Sequence, residues 1–410
     1  MLKYKRAQQR GKPPHVLACT HAPSEPIIWR DSSGEPSNRR HACARYGQTD
    51  MLTIFASSTT AALISTTAAA SLDRGASVLP SAMHAIHQTP CVELSRLAAH
   101  LGLEGRLLAK LEYLSPGFSK KDRIARQMIE DAVEDGSLAP CQPVIELTSG
   151  NTGTGLAIVC AALGHPFIAV MSRGNSMERA RMMSALGAEV VLVPQCEGSV
   201  PGEVSGDDLA LVFAETERLA TARSAFRADQ FERAGNARAH LLHTGPELLR
   251  QAEGAGLAID GFVDFVGSGG TFAGVSAALR SARGPENVRC YVVEPQGAAV
   301  LAGVDGADGA SLAPHRIQGG GYGMRELTPL RECDGAAPPD GYVQVTSAEA
   351  KDTCALLARL EGIFSGYSGG ANVAAAAELL RGPLRGKTVA CVICDSGLKY
   401  LSTDLWDAVE

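Results

Sequence analysis

A chain of 410 residues exceeds one average domain and accommodates a two-domain enzyme core with an extension. Hydrophobic residues make up 45%, charged residues 20% and aromatics 5%, a balance that suits a soluble, layered α/β enzyme with a large core. Nine of the 38 Lys/Arg and four of the 44 Asp/Glu fall in residues 1–50, leaving 29 basic against 40 acidic residues, a core charge of −11 that repels a phosphate backbone and excludes nucleic acid as a partner.

Residues 1–82 read as a low-order, non-catalytic extension. The first fifty are rich in Pro, Arg, His and Ser without apolar periodicity. Met51–Leu72 carries no charge, but Thr53, Ser57, Ser58, Thr59, Thr60, Ser65, Thr66 and Thr67 dilute it below what membrane insertion requires, so no membrane span is expected. The 11 cysteines sit mostly in apolar runs and read as small buried hydrophobes of a reducing, cytoplasmic setting. Cys391 and Cys394 form a CxxC within a predicted strand, where their odd spacing sends the two thiols to opposite faces.

From Ala85 onward strand and helix signals alternate. Lys110-Leu111-Glu112 ends an apolar run. Ile124, Met128, Ile129 and Ala132 then mark one face of a helix that Gly136 closes. Strands are predicted at Pro143–Leu147, Phe167–Met171 and Val190–Val193, with helices at Gly153–Leu163 and Met177–Leu186 between them. A second series follows Gln230: strand Phe262–Val266, helix Thr271–Arg283, strand Val288–Glu294, helices Ala348–Glu361 and Ala371–Leu380, and strand Thr388–Cys394. Strands separated by helices imply crossover connections, hence two parallel sheets with a cleft between them and ligands outside the strands' carboxyl ends.

Three loops fall at such ends. Gly267-Ser268-Gly269-Gly270-Thr271 opens a helix, so its backbone N–H groups and the helix dipole suit a phosphate; it matches neither the mononucleotide P-loop nor GxGxxG, and a tight turn is the alternative. Thr148-Ser149-Gly150-Asn151-Thr152-Gly153 offers consecutive hydroxyl and amide groups at a helix start, suited to a carboxylate and, through Asn151, a phenolic oxygen; N-capping is the bland alternative. Asp395-Ser396-Gly397 follows the last strand, where Ser396 alone reads as a cap. Ser119-Lys120-Lys121-Asp122-Arg123 places a lysine at the mouth of a helix.

Together with Gln88-Thr89-Pro90, Gln230-Phe231, Thr244-Gly245-Pro246-Glu247, Glu294-Pro295, Ile317-Gln318-Gly319, Glu361-Gly362-Ile363 and Tyr400-Leu401-Ser402-Thr403, these segments resemble fold type II (β-family) pyridoxal-phosphate enzymes, most closely the cysteine synthase and cystathionine β-synthase branch, from His87 to the C-terminus. The resemblance implies an α/β fold like that of the tryptophan synthase β-subunit: two lobes, each with a twisted, mostly parallel sheet flanked by helices, and pyridoxal 5′-phosphate in the cleft. Residues 83–114 and 228–410 would form the larger cofactor-binding lobe, and 115–227 the smaller, mobile substrate-binding lobe.

By the same resemblance Lys121 is the Schiff-base lysine and catalytic base, Asn151 contacts the cofactor's 3′-oxygen, and Gly267, Ser268, Gly269, Gly270 and Thr271 form the phosphate cup. Ser396 pairs with the pyridine nitrogen, while Thr148, Ser149, Gly150, Thr152 and Gln230 hold the substrate α-carboxylate. A neutral serine at the nitrogen makes a weaker electron sink and favours expulsion of a β-substituent over transamination. The implied reaction is β-replacement on an L-serine derivative, O-acetyl-L-serine and sulfide giving L-cysteine, by a homodimer without a metal. Alternatives are synthesis of cystathionine or another β-substituted alanine such as 2,3-diaminopropionate, a serine/threonine dehydratase, and a non-catalytic homologue. The departures from the family pattern at Ser115, Lys120, Cys196–Asp208, Gly320-Gly321-Tyr322 and Tyr367 bear on the nucleophile, with Tyr322 and Tyr367 expected near the substrate cleft.

Overall fold

A computed structural model describes residues 78–148, 150–199, 204, 206–306 and 312–407. The expected extension lies outside the described residues as far as residue 77, together with the uncharged Met51–Leu72 stretch; Ser149 and part of the Cys196–Asp208 segment also lie outside them.

Ten strands are described: β1 (Cys91–Glu93), β2 (Arg106–Leu111), β3 (Val144–Leu147), β4 (Phe167–Ser172), β5 (Glu189–Val193), β6 (Phe226–Arg227), β7 (Gly261–Phe265), β8 (Arg289–Pro295), β9 (Gly341–Val345) and β10 (Thr388–Ile393). They form a six-stranded sheet, β1-β2-β10-β7-β8-β9, and a four-stranded sheet, β5-β4-β3-β6. β1 runs antiparallel to β2, and every other ladder is parallel. The four-stranded sheet is built from residues 144–227, and the six-stranded sheet takes its strands from either side of that stretch. Among the described residues no helix is long and apolar enough to cross a membrane.

Period-two alternation divides each sheet between two cores. On β10, Val389, Cys391 and Ile393 enter one cluster with Val263 and Phe265 of β7, while Ala390, Val392 and Cys394 enter another with Phe262 and Val266. Both CxxC thiols are buried and free, on opposite faces as the odd spacing requires. On β4, Phe167, Ala169 and Met171 face one core and Ile168 and Val170 the other.

Predicted and observed elements agree closely over residues 121–193, where Gly136 (φ 75°) follows helix Lys121–Glu134 and Gly164 (φ 80°) caps helix Asn151–Leu163. Three differences have physical causes. The helix expected over Ala348–Glu361 is α-helical only through Ser347–Leu356, then widens to a π-helical turn, Leu357–Glu361, before Gly362 at φ 67°. β1 and β6, three and two residues long, are too short to show a period. Helix Gly206–Ala222 lies beyond the polar segment that obscured its start.

Glycine sets how closely the two helices at the centre of the smaller sheet approach. A Cβ on Gly155 would stand 3.0 Å from Ala125 Cβ, 3.0 Å from Asp122 Cα and 3.1 Å from Lys121 O, so helix Asn151–Leu163 lies against the backbone of helix Lys121–Glu134. Because two of those three atoms are backbone, the added methyl of Gly155→Ala cannot be absorbed by a rotamer change. A loss of about 1–3 kcal/mol is expected, read as a lowered denaturant midpoint at unchanged m-value; an unchanged midpoint would show that the helices can separate without cost.

Candidate active site

The loops that carry the candidate residues all leave the carboxyl ends of strands. β3 leads to Thr148–Gly150, β7 to Val266–Gly269, β10 to Asp395 and Ser396, and β2 through residues 112–120 to Lys121. They converge on a cavity between the sheets lined by Lys121, Asn151, Thr152, Arg179, Gln230, Phe231, Ser268, Gln318, Gly319, Tyr322 and Tyr400.

Lys121 is the first residue of its helix, and its Nζ lies 3.2 Å from Ser268 Oγ. Burial, and then the neighbouring Lys120 charge, lower its amine to about 8. Lys120 points elsewhere: its Nζ contacts both oxygens of Asp264 on β7, at 2.7 and 3.0 Å.

The glycine-rich loop is a close-fitting cradle. A Cβ on Gly267 would stand 1.9 Å from Gly319 O, and one on Gly270 would stand 2.0 Å from Asn236 Oδ1; Gly269 has φ 87°. Ser268 Oγ accepts from Asn236 Nδ2 at 2.8 Å. Thr271 Oγ1 lies 3.2 Å from His240 Nε2, and His240 Nδ1 lies 2.9 Å from Thr244 Oγ1, so the start of helix Gly270–Arg283 is backed by buried polar groups. Burial lowers His240, with the Lys120 and Arg123 charges adding to it, and keeps the ring neutral.

On the opposite wall Asn151 opens helix Asn151–Leu163. Its Oδ1 accepts from Lys399 Nζ at 2.6 Å and its Nδ2 donates to Asp395 Oδ2 at 2.8 Å, so both ends of the amide are oriented. Thr152 Oγ1 donates to Gln230 Oε1 at 2.8 Å, which leaves the Gln230 NH2 to donate elsewhere. Thr148 Oγ1 accepts from the amides of Gly150 (3.1 Å) and Gly153 (2.9 Å), an engagement with backbone outside the cavity lining. Gly150 takes φ 141°, where a Cβ would meet Arg179 Cδ at 2.3 Å. Ser396 Oγ accepts from Leu398 N at 3.3 Å and starts the turn Gly397–Tyr400; it too stands outside the lining.

A family model described as "Pyridoxal-phosphate dependent enzyme" matches residues 82–395. A cysteine synthase of Staphylococcus aureus (strain Mu50) is 37% identical over 318 residues, 78% of this chain and 94% of that protein. An O-ureido-L-serine synthase of Streptomyces lavendulae is 37% identical over 332 residues, 80% of this chain and 93% of that protein. Among solved structures, O-acetyl serine sulfhydrylase isoform 3 from Entamoeba histolytica superposes with a TM-score of 0.71 at 31% identity, covering 82% of this chain and 93% of that one. The chain belongs to the cysteine synthase family of fold type II pyridoxal-phosphate enzymes.

The cofactor of this family is pyridoxal phosphate, and the residues present fit it. The cradle that a Cβ would fill lies at a helix N-terminus, as a phosphate monoester needs. Asn236 Oδ1, set against Gly270 of that cradle, is buried without a hydrogen-bond partner among the described residues.

Sequence reasoning missed several residues that this cysteine synthase relative brings to the cavity. Arg179 lines it, with Nη2 on Gln318 Oε1 and its guanidinium 5.3 Å from the Tyr400 ring centroid. Arg179 lies in helix Met177–Ala185 among other charged residues, where a cation reads as solvated. Lys399 was missed for the same reason, although burial lowers its amine to about 8. Tyr367, expected near the substrate cleft, instead buries its ring against Tyr400 at 5.9 Å and donates its hydroxyl to Asp404 Oδ1 at 2.8 Å. Tyr322 does line the cavity, edge-on to Phe231 at 6.1 Å.

Proposed function

We propose that the protein catalyses β-replacement on an O-activated L-serine, with O-acetyl-L-serine and sulfide giving L-cysteine as the leading reaction. The observation that supports it most is the placement of Lys121 Nζ, at the cavity wall and 3.2 Å from a hydroxyl of the phosphate-type cradle. The 37% identity to a cysteine synthase over 78% of the chain points to the same reaction.

When bound, pyridoxal phosphate withdraws electrons from Cα of the amino acid it carries. In this reading the cradle Gly267, Ser268, Gly269, Gly270 and Thr271 holds the phosphate. Asn151 donates to the 3′-oxygen, its amide held by Lys399. Ser396 serves the pyridine nitrogen, since its contact with Leu398 N uses an oxygen lone pair and leaves its O–H to donate. Thr152, Gln230, Gly150 and Ser149 hold the α-carboxylate, with Thr148 bracing the loop through the Gly150 and Gly153 amides. Lys121 Nζ takes the Cα proton, and the amine must be uncharged to do so. With its value near 8, the basic limb of the rate is expected to rise as pH passes upward through that value; a profile flat from pH 6.5 to 9 would remove Lys121 as the titrating base.

A second reading, a small polar nucleophile in place of sulfide, is favoured by the wall of Arg179, Gln318 and Tyr322 and by the likeness to an O-ureido-L-serine synthase. The deciding experiment offers sulfide, homocysteine, cysteine, ammonia and N-hydroxyurea in competition for O-acetyl-L-serine and identifies the products. Predominant cysteine supports the leading reaction, and predominance of any other product replaces it. A cytoplasmic homodimer is part of the proposal, its mass checked by light scattering.

A further inference from the structure

Lys399 is a buried amine that reaches two segments at once. It is 6% exposed, in the turn Gly397–Tyr400 that follows β10. Its Nζ donates to Gly117 O at 2.8 Å and to Asn151 Oδ1 at 2.6 Å. Gly117 belongs to the stretch that leads into helix Lys121–Glu134, and its own N–H donates to Asp122 Oδ2 on that helix. Asn151 begins the helix packed against it at Gly155. The Asn151 amide is also held at its other end: Nδ2 donates to Asp395 Oδ2 at 2.8 Å, and the Tyr400 hydroxyl donates to the same oxygen at 2.8 Å. A lysine ammonium only donates and a carboxylate only accepts, so the amide fits between them in one orientation, oxygen toward Lys399 and nitrogen toward Asp395. Burial lowers the Lys399 amine to about 8, yet the uncharged amine still has two N–H groups for its two acceptors. An amide nitrogen carries two N–H groups; with one given to Asp395, the second is left for the cavity that Asn151 lines.

We propose that Lys399 is a positioning residue that acts through Asn151, fixing the amide so that its second N–H is delivered to an oxygen anion in the cavity. This deepens the proposed function and rests on Asn151 meeting the 3′-oxygen of pyridoxal phosphate. A donor held on that oxygen favours its charged form, in which the proton sits instead on the nitrogen joining cofactor to lysine. In the neutral form the same proton sits on the oxygen. The charged form absorbs in the visible and the neutral form in the near ultraviolet, so the ratio of the two bands reports how well the donor is held. Without Lys399 the amide keeps Asp395 as its anchor and can turn about that contact, carrying the second N–H off the oxygen. Ser396 and Lys399 lie on one turn, which would thus serve both the pyridine nitrogen, directly, and the 3′-oxygen, through Asn151.

The test is the ratio of the visible to the near-ultraviolet band of the full chain with bound pyridoxal phosphate and no substrate, a readout that needs no turnover. K399M keeps the length of the side chain and removes its donors. It is expected to lower the ratio about fivefold, the scale of one hydrogen bond. N151A is expected to lower the ratio at least as far, and K399M added to N151A to lower it no further, because residues that act through one contact are not additive. A purely structural role for Lys399 would lower the melting temperature and leave the ratio of the bound cofactor alone. An unchanged ratio in K399M, or an equal further fall when K399M is added to N151A, would overturn the inference. Circular dichroism checks folding, and if K399M does not fold, K399A is read in its place on the same criteria. N151A separates this from the underlying reading: if it keeps the wild-type ratio, the proposed contact of Asn151 with the 3′-oxygen fails, whatever the Lys399 variants show.

Discussion

Lys121→Ala is expected to abolish the visible band of the protein reconstituted with pyridoxal phosphate and to lower β-replacement turnover by roughly a thousandfold or more, the scale of losing a positioned base. Among the described residues the amine is the only lysine nitrogen in the cavity lining, and Lys120 cannot replace it, because its Nζ is committed to Asp264. The variant removes a side chain that is in contact with Ser268 but carries no buried ion pair, so the fold should persist with an unchanged circular dichroism spectrum. A variant that keeps the band would transfer the role to another amine, with Lys399 the first to test, since its amine is also lowered to about 8.

The largest effect on stability is expected at Arg123. Its guanidinium is fully buried and donates to Glu112 Oε1 at 2.8 Å, to Glu247 Oε1 and Oε2 at 2.8 Å each, and to Thr89 Oγ1 at 3.0 Å. Lys110 Nζ adds a 2.7 Å contact to Glu247. These residues come from the Lys121–Glu134 helix, the end of β2 and helix Gly245–Gly254, so one side chain ties both sheets together. Arg123→Met leaves two carboxylates short of a partner in the interior and should cost about 3–5 kcal/mol. Burial alone would raise Glu247, but Arg123 and Lys110 hold it well below the usual carboxylate range. The stabilisation from that lowered value is complete above the ordinary Glu value of about 4.3 and is lost as pH falls through the folded-state value. The wild-type melting temperature should therefore decline on acidification below that point, and the variant should melt lower with a shallower decline. Equal melting temperatures at neutral pH would show that the network contributes no net stability.

The elements that could be read from sequence were those whose signal is local. Gly164 and Gly136 end helices because their backbone requires positive φ, and Gly267 to Thr271 opens a helix after an apolar strand, so both could be located without partners. What depends on the direction of a side chain could not. Lys120 and Lys121 are adjacent in sequence, yet one enters an ion pair with β7 and the other faces the cavity, a difference set by their phase at the helix start. Thr148 offers a hydroxyl equally to a ligand or to the amides of Gly150 and Gly153, and only the loop's path shows which it takes here. Asn236 gave no signal, since it lies in a short helix without apolar period and matters only because the Gly270 backbone comes against it.

The close approach at Gly155 bears on more than stability. Lys121 and Asn151 each begin one of the two helices that touch there, so their separation is built into a single packed unit, whereas Ser268 belongs to the other sheet. A relative displacement of the sheets alters the reach from Lys121 to the phosphate cradle but leaves Lys121, Asn151 and Thr152 in register with one another. Under the proposed function, Lys121, Asn151 and Thr152 would therefore keep their mutual spacing through any movement of the sheets, and only their distance from the glycine-rich cradle would change.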